Sequence, residues 1–505
     1  MRFLSTFLPL LVFGVQTVLA GAKLPKVVPP QLPSNDSFYK PKGDWQKSKP
    51  GDILDSREVN ISSLLPYARS KAKGFQLLYR TRDVHGNPDA TVTTIIVPKF
   101  ANYNRVLSVQ NAYDSADVNC GPSYGLQWLA SGFGASWNKL NLAFLMNFLQ
   151  AGPIMNIPDY EGSNAAFTVG PQSGYQTLDS IRAVFNSAKF TNVNPDAKVI
   201  MFGYSGGAFA TEWATEKKAE YAKDLPIIGA VMGAPPPNVT STYLNADGSD
   251  MAELNVAALL GVMNAYPEIN ATLRANLTDD AEQQRRFFFP LHKCGGGECS
   301  QLGTPLAGSN VGDFFKNGSF FLEKYSETLK EIGVMGQNLT PKSYPGYPLF
   351  IFNGDKDELT YPIDDTIQLV KDWRKKAFTR VCHLTLEGLD HTTALRGLPY
   401  AWSWINKRFL AVEHGLGLVN LCKFIGADPD DGWPRPPKDG NPDDGKPDEG
   451  EPDEGEPDEG EPDEGEPDGR EPDEDEPDNG EHEDDLIIAE SEMDEAETMR
   501  PLHDL

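Results

Sequence analysis

The spacing of apolar and polar positions changes repeatedly along the middle of the chain. Short runs of apolar and β-branched residues, typical of buried strands, alternate with longer amphipathic stretches at helical spacing. The predicted strands cover residues 106–110, 153–157, 199–202, 227–232, 349–353 and 382–386, and the clearest helices cover 175–190 and 208–221. A predicted hairpin precedes them, with strands 74–81 and 91–98 on either side of a turn. This alternation indicates an α/β fold with a mostly parallel sheet.

The alternation stops between about residue 235 and residue 347. Helical stretches over 250–265, 279–288 and 321–335 follow one another there without a strand. We interpret this interval as a helical cap inserted over the edge of the sheet. The residues from 21 to about 67 are rich in proline and polar side chains, and we expect them to wrap over the surface. One folded domain is therefore predicted over residues 21–427.

Charge is distributed unevenly over the 505 residues. The formal net charge is −28, yet the segment from Asp428 to Leu505 alone contains 35 Asp and Glu residues against 5 Lys and Arg residues. Its five-residue repeat carries prolines, which oppose helix formation, and like charges, which repel, so we predict a disordered tail. Its simplest role is a solubilising spacer, and binding a basic partner or cations is the alternative. The nearly neutral remainder has no broad basic face for nucleic acid.

The first twenty residues have the features of a removed secretory signal. Arg2 precedes an interrupted apolar run that ends in small residues at Ala20. No later stretch is apolar enough to span a bilayer. Seven Asn-x-Ser/Thr sequons also fit a secreted, extracellular glycoprotein: Asn35, Asn60, Asn238, Asn270, Asn276, Asn317 and Asn338. In that compartment the five cysteines are expected to form two disulfides, and their spacing does not indicate a zinc site, so no metal or other cofactor is predicted.

Two segments match the Gly-x-Ser-x-Gly motif of serine hydrolases, but only one has the required context. The first, centred on Ser123, has no strand before it. The second, centred on Ser205, follows the predicted strand 199–202 and opens a helix of small residues. A strand, a tight turn and a helix form the nucleophile elbow that exposes the serine at the edge of a sheet. We therefore predict that Ser205 is the nucleophile.

A serine hydroxyl needs a base to remove its proton and an acid to orient that base. His391 lies late in the domain, between a predicted strand and a predicted helix. The strand 349–353 is followed by two candidate acids, and we favour Asp357 over Asp355 because it comes just after the turn. The order Ser205, Asp357, His391 is the order of α/β-hydrolases. The backbone N–H of Gly206 and a donor from Asp114, after the strand 106–110, are predicted to form the oxyanion hole.

Several strings together resemble the fungal secretory lipases of the Candida antarctica lipase A type, over roughly residues 38–424. These are Tyr113-Asp114-Ser115, Cys120-Gly-Pro-Ser-Tyr124, Pro158-Asp-Tyr-Glu-Gly162, Gly203-Tyr-Ser-Gly-Gly-Ala208 and Asp357-Glu358 before Pro362. The resemblance implies an α/β-hydrolase fold, a Ser205–Asp357–His391 triad, an oxyanion hole at Asp114 and Gly206, and a cap that shapes an acyl-binding tunnel. It also implies disulfides from Cys382 to Cys422 and from Cys120 to a cap cysteine, with Cys299 favoured over Cys294. The family's usual Asp-Pro opening is Asp36-Ser37 here, and the acidic tail is a further departure.

The predicted function is a secreted, monomeric carboxylic-ester hydrolase, a triacylglycerol lipase that acts at a lipid–water interface through an acyl-enzyme on Ser205. The alternative within the family is an esterase that removes acetyl or short acyl groups from a fungal secondary metabolite. A serine peptidase or a noncatalytic binding protein of the same fold are rivals from other classes. Eight cap residues could line an acyl channel or merely pack the cap: Phe287, Phe288, Phe289, Leu291, Phe314, Phe315, Phe320 and Phe321.

Overall fold

The computed structural model describes residues 28–62, 72–145, 152–292, 306–360, 362–416 and 422. The predicted signal, the acidic tail and both candidate cap cysteines, Cys294 and Cys299, lie outside these residues. All described residues belong to one unit, Met1–Pro447. No helix in the described part of the chain combines the length and the apolar character that crossing a membrane requires.

A mixed sheet forms the centre of the described structure. Nine strands, counted over the described residues, lie in the order β1-β2-β3-β5-β4-β6-β7-β8-β9. They are β1 Ile53–Val59, β2 Lys73–Arg82, β3 Pro88–Val97, β4 Asn102–Gln110, β5 Pro153–Pro158, β6 Lys198–Tyr204, β7 Ile227–Gly233, β8 Leu349–Gly354 and β9 Val381–Leu386. The pairs β1/β2, β2/β3 and β3/β5 are antiparallel, and the pairs from β5/β4 to β8/β9 are parallel. The parallel strands therefore bring their carboxyl ends to one edge, where α/β enzymes bind ligands.

Helices flank this sheet and build the cap. In the described residues the α-helices are α1 Pro122–Gly125, α2 Phe133–Phe144, α3 Gly170–Asn186, α4 Ala188–Thr191, α5 Gly206–Tyr221, α6 Val239–Ala246, α7 Ala252–Ala265, α8 Pro267–Asn276, α9 Ala281–Phe287, α10 Phe321–Lys324, α11 Ser326–Gly333, α12 Ile363–Lys375 and α13 Leu398–Glu413. Helices α6 to α11 fall within the predicted cap interval between β7 and β8. They have their own apolar cluster, which includes Leu260, Phe287 and Phe314.

The sheet has a hydrophobic core on each face. On one face α3, α5 and α12 contribute Leu178, Trp213 and Trp373 to a single cluster. On the other face α2 and α13 contribute Leu142 and Trp404. Truncation of a buried tryptophan in such a core typically costs about 3–5 kcal/mol. This two-sided burial explains why the central strands read as continuous apolar runs in the sequence.

The predicted fold class is confirmed, with one strand missed. The hairpin prediction is correct, since β2 and β3 pair antiparallel across the turn, and each of the six predicted strands occurs with slightly wider bounds. The expectation that the opening residues only wrap the surface is wrong at β1, which pairs with β2. Strand β1 lies at the edge of the sheet, and none of its side chains is fully buried. It can therefore contain polar residues such as Ser56 and Arg57, and it lacks the apolar pattern by which the other strands were predicted.

Candidate active site

The turn that carries Ser205 connects β6 to α5 and is sterically tight. Ser205 has φ +55°, a left-handed conformation that a non-glycine residue adopts only where the surroundings impose it. A Cβ atom at Gly203 would overlap the carbonyl oxygen of Gly207, and one at Gly207 would overlap the carbonyl oxygen of Gln110. Glycine at both flanks therefore lets the helix approach the strands. The Ser205 side chain is thereby presented at the carboxyl edge of the sheet.

The structure brings Ser205, His391 and Asp357 together, although they are far apart in the chain. The Nε2 atom of His391 lies 2.8 Å from the Ser205 Oγ atom. The other ring nitrogen, Nδ1, lies 2.8 Å from the Asp357 Oδ2 atom. This geometry suits a histidine that takes the serine proton at Nε2 while the carboxylate holds the Nδ1–H tautomer.

The second oxygen of Asp357 is held by the backbone. Its Oδ1 atom accepts the N–H groups of Leu359 at 3.0 Å and Thr360 at 2.9 Å. Burial opposes the charge of Asp357, but the hydrogen bonds from His391 and Thr360 outweigh it and lower the pKa below the ordinary aspartate value. Asp355 is more exposed, and it accepts the N–H of Gly388 instead of contacting the histidine. Asp357 is therefore ionised and fixed in place.

The loop that carries His391 is anchored on both sides of the imidazole. Its backbone N–H donates to the Glu358 carboxylate at 3.0 Å, and its carbonyl oxygen accepts the Tyr204 hydroxyl at 2.6 Å. Two other described histidines bond elsewhere: His85 contacts the carbonyl of Ala265, and His383 contacts Asn353. The anchors of His391 hold its ring in the orientation that reaches Ser205.

The second motif serine, Ser123, is in a different environment. Its side chain is fully buried within α1 and donates its hydroxyl to Asp159, while the Ser123 N–H donates to the other Asp159 oxygen at 2.8 Å. The Tyr39 hydroxyl lies 2.8 Å from the same serine oxygen. Since a substrate cannot reach a buried hydroxyl, this match to the motif is structural.

Asp159 makes the stability of the fold depend on pH. Burial raises its pKa to about 7, although hydrogen bonds from Ser123 counteract this. The folded state thus binds a proton more tightly than the unfolded chain, so stability declines as pH rises from about 4 to about 7, by up to roughly 4 kcal/mol. We expect Asp159→Asn to remove this part of the pH dependence. Urea unfolding of both proteins at about pH 4.5 and about pH 8 measures it, and equal pH dependences would contradict the prediction.

Asp114 and Gly206 lie beside Ser205, and all three line one cavity with His391. Asp114 has φ +42°, and its Oδ1 atom lies so close to Gly206 that a Cβ atom there would clash. Behind it, the buried Glu161 accepts the N–H of Ser115 at 3.4 Å. Burial and then the Asp114 charge raise the pKa of Glu161 well above its ordinary value, which favours its neutral form. Sequence reasoning gave Glu161 and Asp159 no role, although their position directly after the buried β5 was a signal.

The cavity beside Ser205 has a volume of about 970 Å³, including the part that is open to solvent. It is lined mainly by apolar side chains from the sheet edge and the cap, among them Phe209, Val239, Leu254, Leu259, Leu329 and Ile332. Of the eight cap residues predicted as channel candidates, Phe321 alone lines it. The others pack on one another inside the cap, with the Phe287 and Phe315 ring centroids 5.3 Å apart. All eight therefore pack the cap, and Phe321 also lines the cavity.

The remaining predicted sites are partly within the described residues. Cys382 and Cys422 form a disulfide with a Cα–Cα distance of 5.2 Å. Cys120 is also disulfide-bonded, but its candidate partners lie outside the described residues. Among the described residues, no group of three or more His, Cys, Asp or Glu side chains is placed to hold a metal ion.

The seven sequons differ in exposure. Four are exposed, namely Asn35, Asn60, Asn317 and Asn338, and three are half-buried, namely Asn238, Asn270 and Asn276. A glycan is attached through the side-chain nitrogen, and in Asn276 this atom donates to the Thr272 carbonyl at 2.9 Å. Exposure therefore favours Asn35, Asn60 and Asn338 as glycan carriers, since the side-chain nitrogen of Asn317 also donates, to Asn276 at 3.3 Å.

Comparison with known proteins identifies the family. Residues 130–415 match the family model described as secretory lipase. The chain is 36% identical over 403 residues to lipase 6 of Candida albicans, covering 78% of this chain and 84% of that protein. It is 35% identical over 409 residues to the trichothecene C-3 esterase of Fusarium sporotrichioides, covering 78% and 87%. The crystal structure of Candida antarctica lipase A in its closed state superposes with a TM-score of 0.66 at 25% identity, covering 78% and 89%. The chain therefore belongs to the secretory lipase family of carboxylic-ester hydrolases.

Proposed function

We propose that this protein hydrolyses carboxylic esters of medium or long acyl chains through a covalent acyl-enzyme on Ser205. The observation that carries this proposal is the hydrogen-bonded series Ser205–His391–Asp357 at an apolar cavity. In such a triad the serine oxygen can attack an ester carbonyl while the histidine takes its proton. An apolar cavity can receive the acyl chain.

In the first half of the proposed reaction, Ser205 Oγ attacks the carbonyl carbon while its proton moves to His391 Nε2. The carbonyl oxygen becomes an oxyanion, which the N–H of Gly206 and a donor from Asp114 stabilise; the Asp114 carboxyl can be that donor only in its protonated form. When this intermediate collapses, the bond to the alcohol oxygen breaks and the alcohol leaves with the proton from His391. The acyl group then remains on Ser205.

In the second half, water attacks the acyl-enzyme and gives a proton to His391. The carbon–oxygen bond to Ser205 breaks, Ser205 recovers the proton, and the carboxylic acid is released. Asp357 stays ionised and stabilises the imidazolium that forms in both halves. Its lowered pKa fits this role, because the carboxylate must be charged whenever His391 holds the extra proton.

Acyl-chain preference is the test of the substrate class. Each methylene moved from water to an apolar wall contributes about 0.8 kcal/mol, so burial of a few methylenes raises kcat/KM by about ten- to hundredfold from acetate to octanoate. We expect this rise with p-nitrophenyl esters, together with measurable activity on emulsified triglyceride.

A variant that fills the cavity tests whether the cavity binds the acyl chain, with acetate hydrolysis as the control. Ala258 lines the cavity, whereas Ala257, next to it in α7, is buried and does not. We expect Ala258→Phe to reduce octanoate hydrolysis and to affect acetate hydrolysis much less. A preference for acetate with no activity on triglyceride would instead favour the alternative of a short-acyl esterase, which the similarity to the trichothecene C-3 esterase motivates.

Export through the secretory pathway is part of the proposal. Membership of the secretory lipase family supports it, as do the signal-like residues 1–20 and the exposed sequons. We propose that residues 1–20 are removed, that the mature enzyme is extracellular, and that residues 428–505 act as an acidic spacer.

A further inference from the structure

The two segments of the chain that connect the cap to the sheet lie side by side. Asn238, at the entrance, and Val334, at the exit, form an isolated β-bridge. The N–H of Met335 donates to the carbonyl of Pro237 at 2.8 Å. We call these paired segments, 237–239 and 334–336, the cap neck. The position of the neck therefore determines where the cap lies over the sheet.

The exit side of the neck is attached to α5, the helix that begins directly after Ser205. The N–H of Gly336 donates to the Glu216 carboxylate at 2.6 Å. Glu216 lies one turn after Glu212, whose side chain is fully buried and accepts the Trp373 indole N–H at 3.1 Å. The two carboxyl groups are also neighbours, since the charge of Glu216 raises the pKa of Glu212. One carboxyl pair thus links α5, the neck and α12.

Two neighbouring carboxyl groups repel each other when both are ionised. Burial is the largest influence raising the pKa of each group, and the Glu216 charge further raises that of Glu212, so the surroundings oppose ionisation of both. Lys217, on the same helix, is a cation that lowers both pKa values, though by less than burial raises them. Tyr347 faces the pair from the segment before β8, and Asp372 of α12 lies beside Gly336 and pairs with Lys376.

The neck is continuous with the wall of the cavity beside Ser205. Leu329, Ile332 and Gly333 of α11 line that cavity, and Gly333 precedes Gly336 by one short turn of chain. On the entrance side, Val239 lines the cavity and packs against Gly333. A displacement of the neck would therefore move apolar groups that face the substrate.

We propose that Glu212 and Glu216 are positioning residues that fasten the cap neck to α5 and thereby hold the α11 wall of the acyl cavity in place. This inference rests on the proposed function, because it assigns the cavity to the acyl chain. The pair touches neither the ester nor the triad, so its effect falls on acyl binding. When the pH rises and both carboxyls ionise, the repulsion between two like charges one helical turn apart opposes the position that Glu216 holds at Gly336.

The first experiment removes the attachment. Glu216→Ala abolishes the contact to Gly336, whereas Glu216→Gln keeps an acceptor for this N–H and an N–H group for Glu212. We expect Glu216→Ala to raise KM for p-nitrophenyl octanoate about tenfold while kcat/KM for the acetate changes less than about threefold, and Glu216→Gln to restore the octanoate KM. Glu220→Ala, an exposed site on the same helix, removes the same charge as a control.

The second experiment tests whether ionisation of the Glu212 and Glu216 carboxyls changes acyl binding. Glu212→Gln can donate to Glu216 at every pH, and its carbonyl can still accept the indole N–H. In the wild type we expect the octanoate KM to rise about fivefold or more from the acidic to the alkaline end of the pH range in which the enzyme is folded, and in Glu212→Gln we expect it to stay constant.

The outcomes separate this inference from the proposed function. Equal effects of Glu216→Ala on acetate and octanoate, or an unchanged pH dependence in Glu212→Gln, would overturn the inference while ester hydrolysis persists. Absence of hydrolysis of either ester by the wild type would overturn the proposed function itself. If Glu216→Ala does not fold, the comparison of Glu212→Gln with the wild type decides the question.

Discussion

Replacing Ser205 with alanine is expected to reduce ester hydrolysis by about five orders of magnitude or more, because it removes the nucleophile. The variant should fold normally, since the side chain contributes little buried volume and hydrogen-bonds within the described residues to His391. The measurement is kcat/KM for p-nitrophenyl octanoate, with circular dichroism and a melting curve to show that the protein is folded.

The matched control is Ser123→Ala, in the other Gly-x-Ser-x-Gly segment. Its hydroxyl is buried against Asp159, so its loss should reduce stability by about 1–3 kcal/mol. The activity of each folded molecule should change only a few-fold. An inactive Ser123→Ala enzyme beside an active Ser205→Ala enzyme would reverse the assignment of the nucleophile.

Replacing Asp357 with asparagine is expected to lower kcat about ten-thousandfold while the structure stays intact. The amide is nearly the same size as the carboxylate, but it is neutral and does not favour the Nδ1–H tautomer or stabilise the imidazolium of His391. The oxygen that accepts the Leu359 and Thr360 N–H groups can be retained. Steady-state kinetics on a short and a long ester should show the same loss, because the effect is on chemistry rather than on acyl binding.

Asp355→Asn provides the comparison for this position. Asp355 contacts the N–H of Gly388, not the imidazole, and a neutral amide oxygen can still accept that hydrogen bond. We expect its kcat to stay within about threefold of the wild type. Similar losses in Asp355→Asn and Asp357→Asn would contradict the assignment of the acid.

Ser205 and His391 could be proposed from the sequence because each lies in a segment whose residue types or chain order are restricted. A tight turn between a buried strand and a helix restricts the residues near Ser205, and the chain order restricts the histidine. Asp355 and Asp357 were harder to distinguish, because both follow β8 within a few residues. Only the folded loop shows that Asp357 is buried beside His391, whereas Asp355 points to Gly388.

Other features depend on tertiary packing that local patterns do not encode. The sequence left open whether the aromatic residues of the cap line a channel or pack the cap, because whether a ring such as Phe287 or Phe315 faces the cavity or another ring depends on how the short cap helices pack. Glu212 and Glu216 have the ordinary spacing of a solvent-exposed helix face. The attachment of Glu216 to the neck and of Glu212 to α12 becomes visible only when α5, α12 and the cap exit are placed together.

The central claim is that Ser205 forms the covalent bond to the acyl group. Labelling of the full chain with an octyl fluorophosphonate, followed by peptide mass spectrometry, tests it most directly, since such reagents react with activated serine hydroxyls. We predict one phosphonyl group per molecule, located on Ser205, and no labelling of Ser205→Ala. A label on Ser123 or another residue, or none on an enzyme that hydrolyses esters, would contradict the claim.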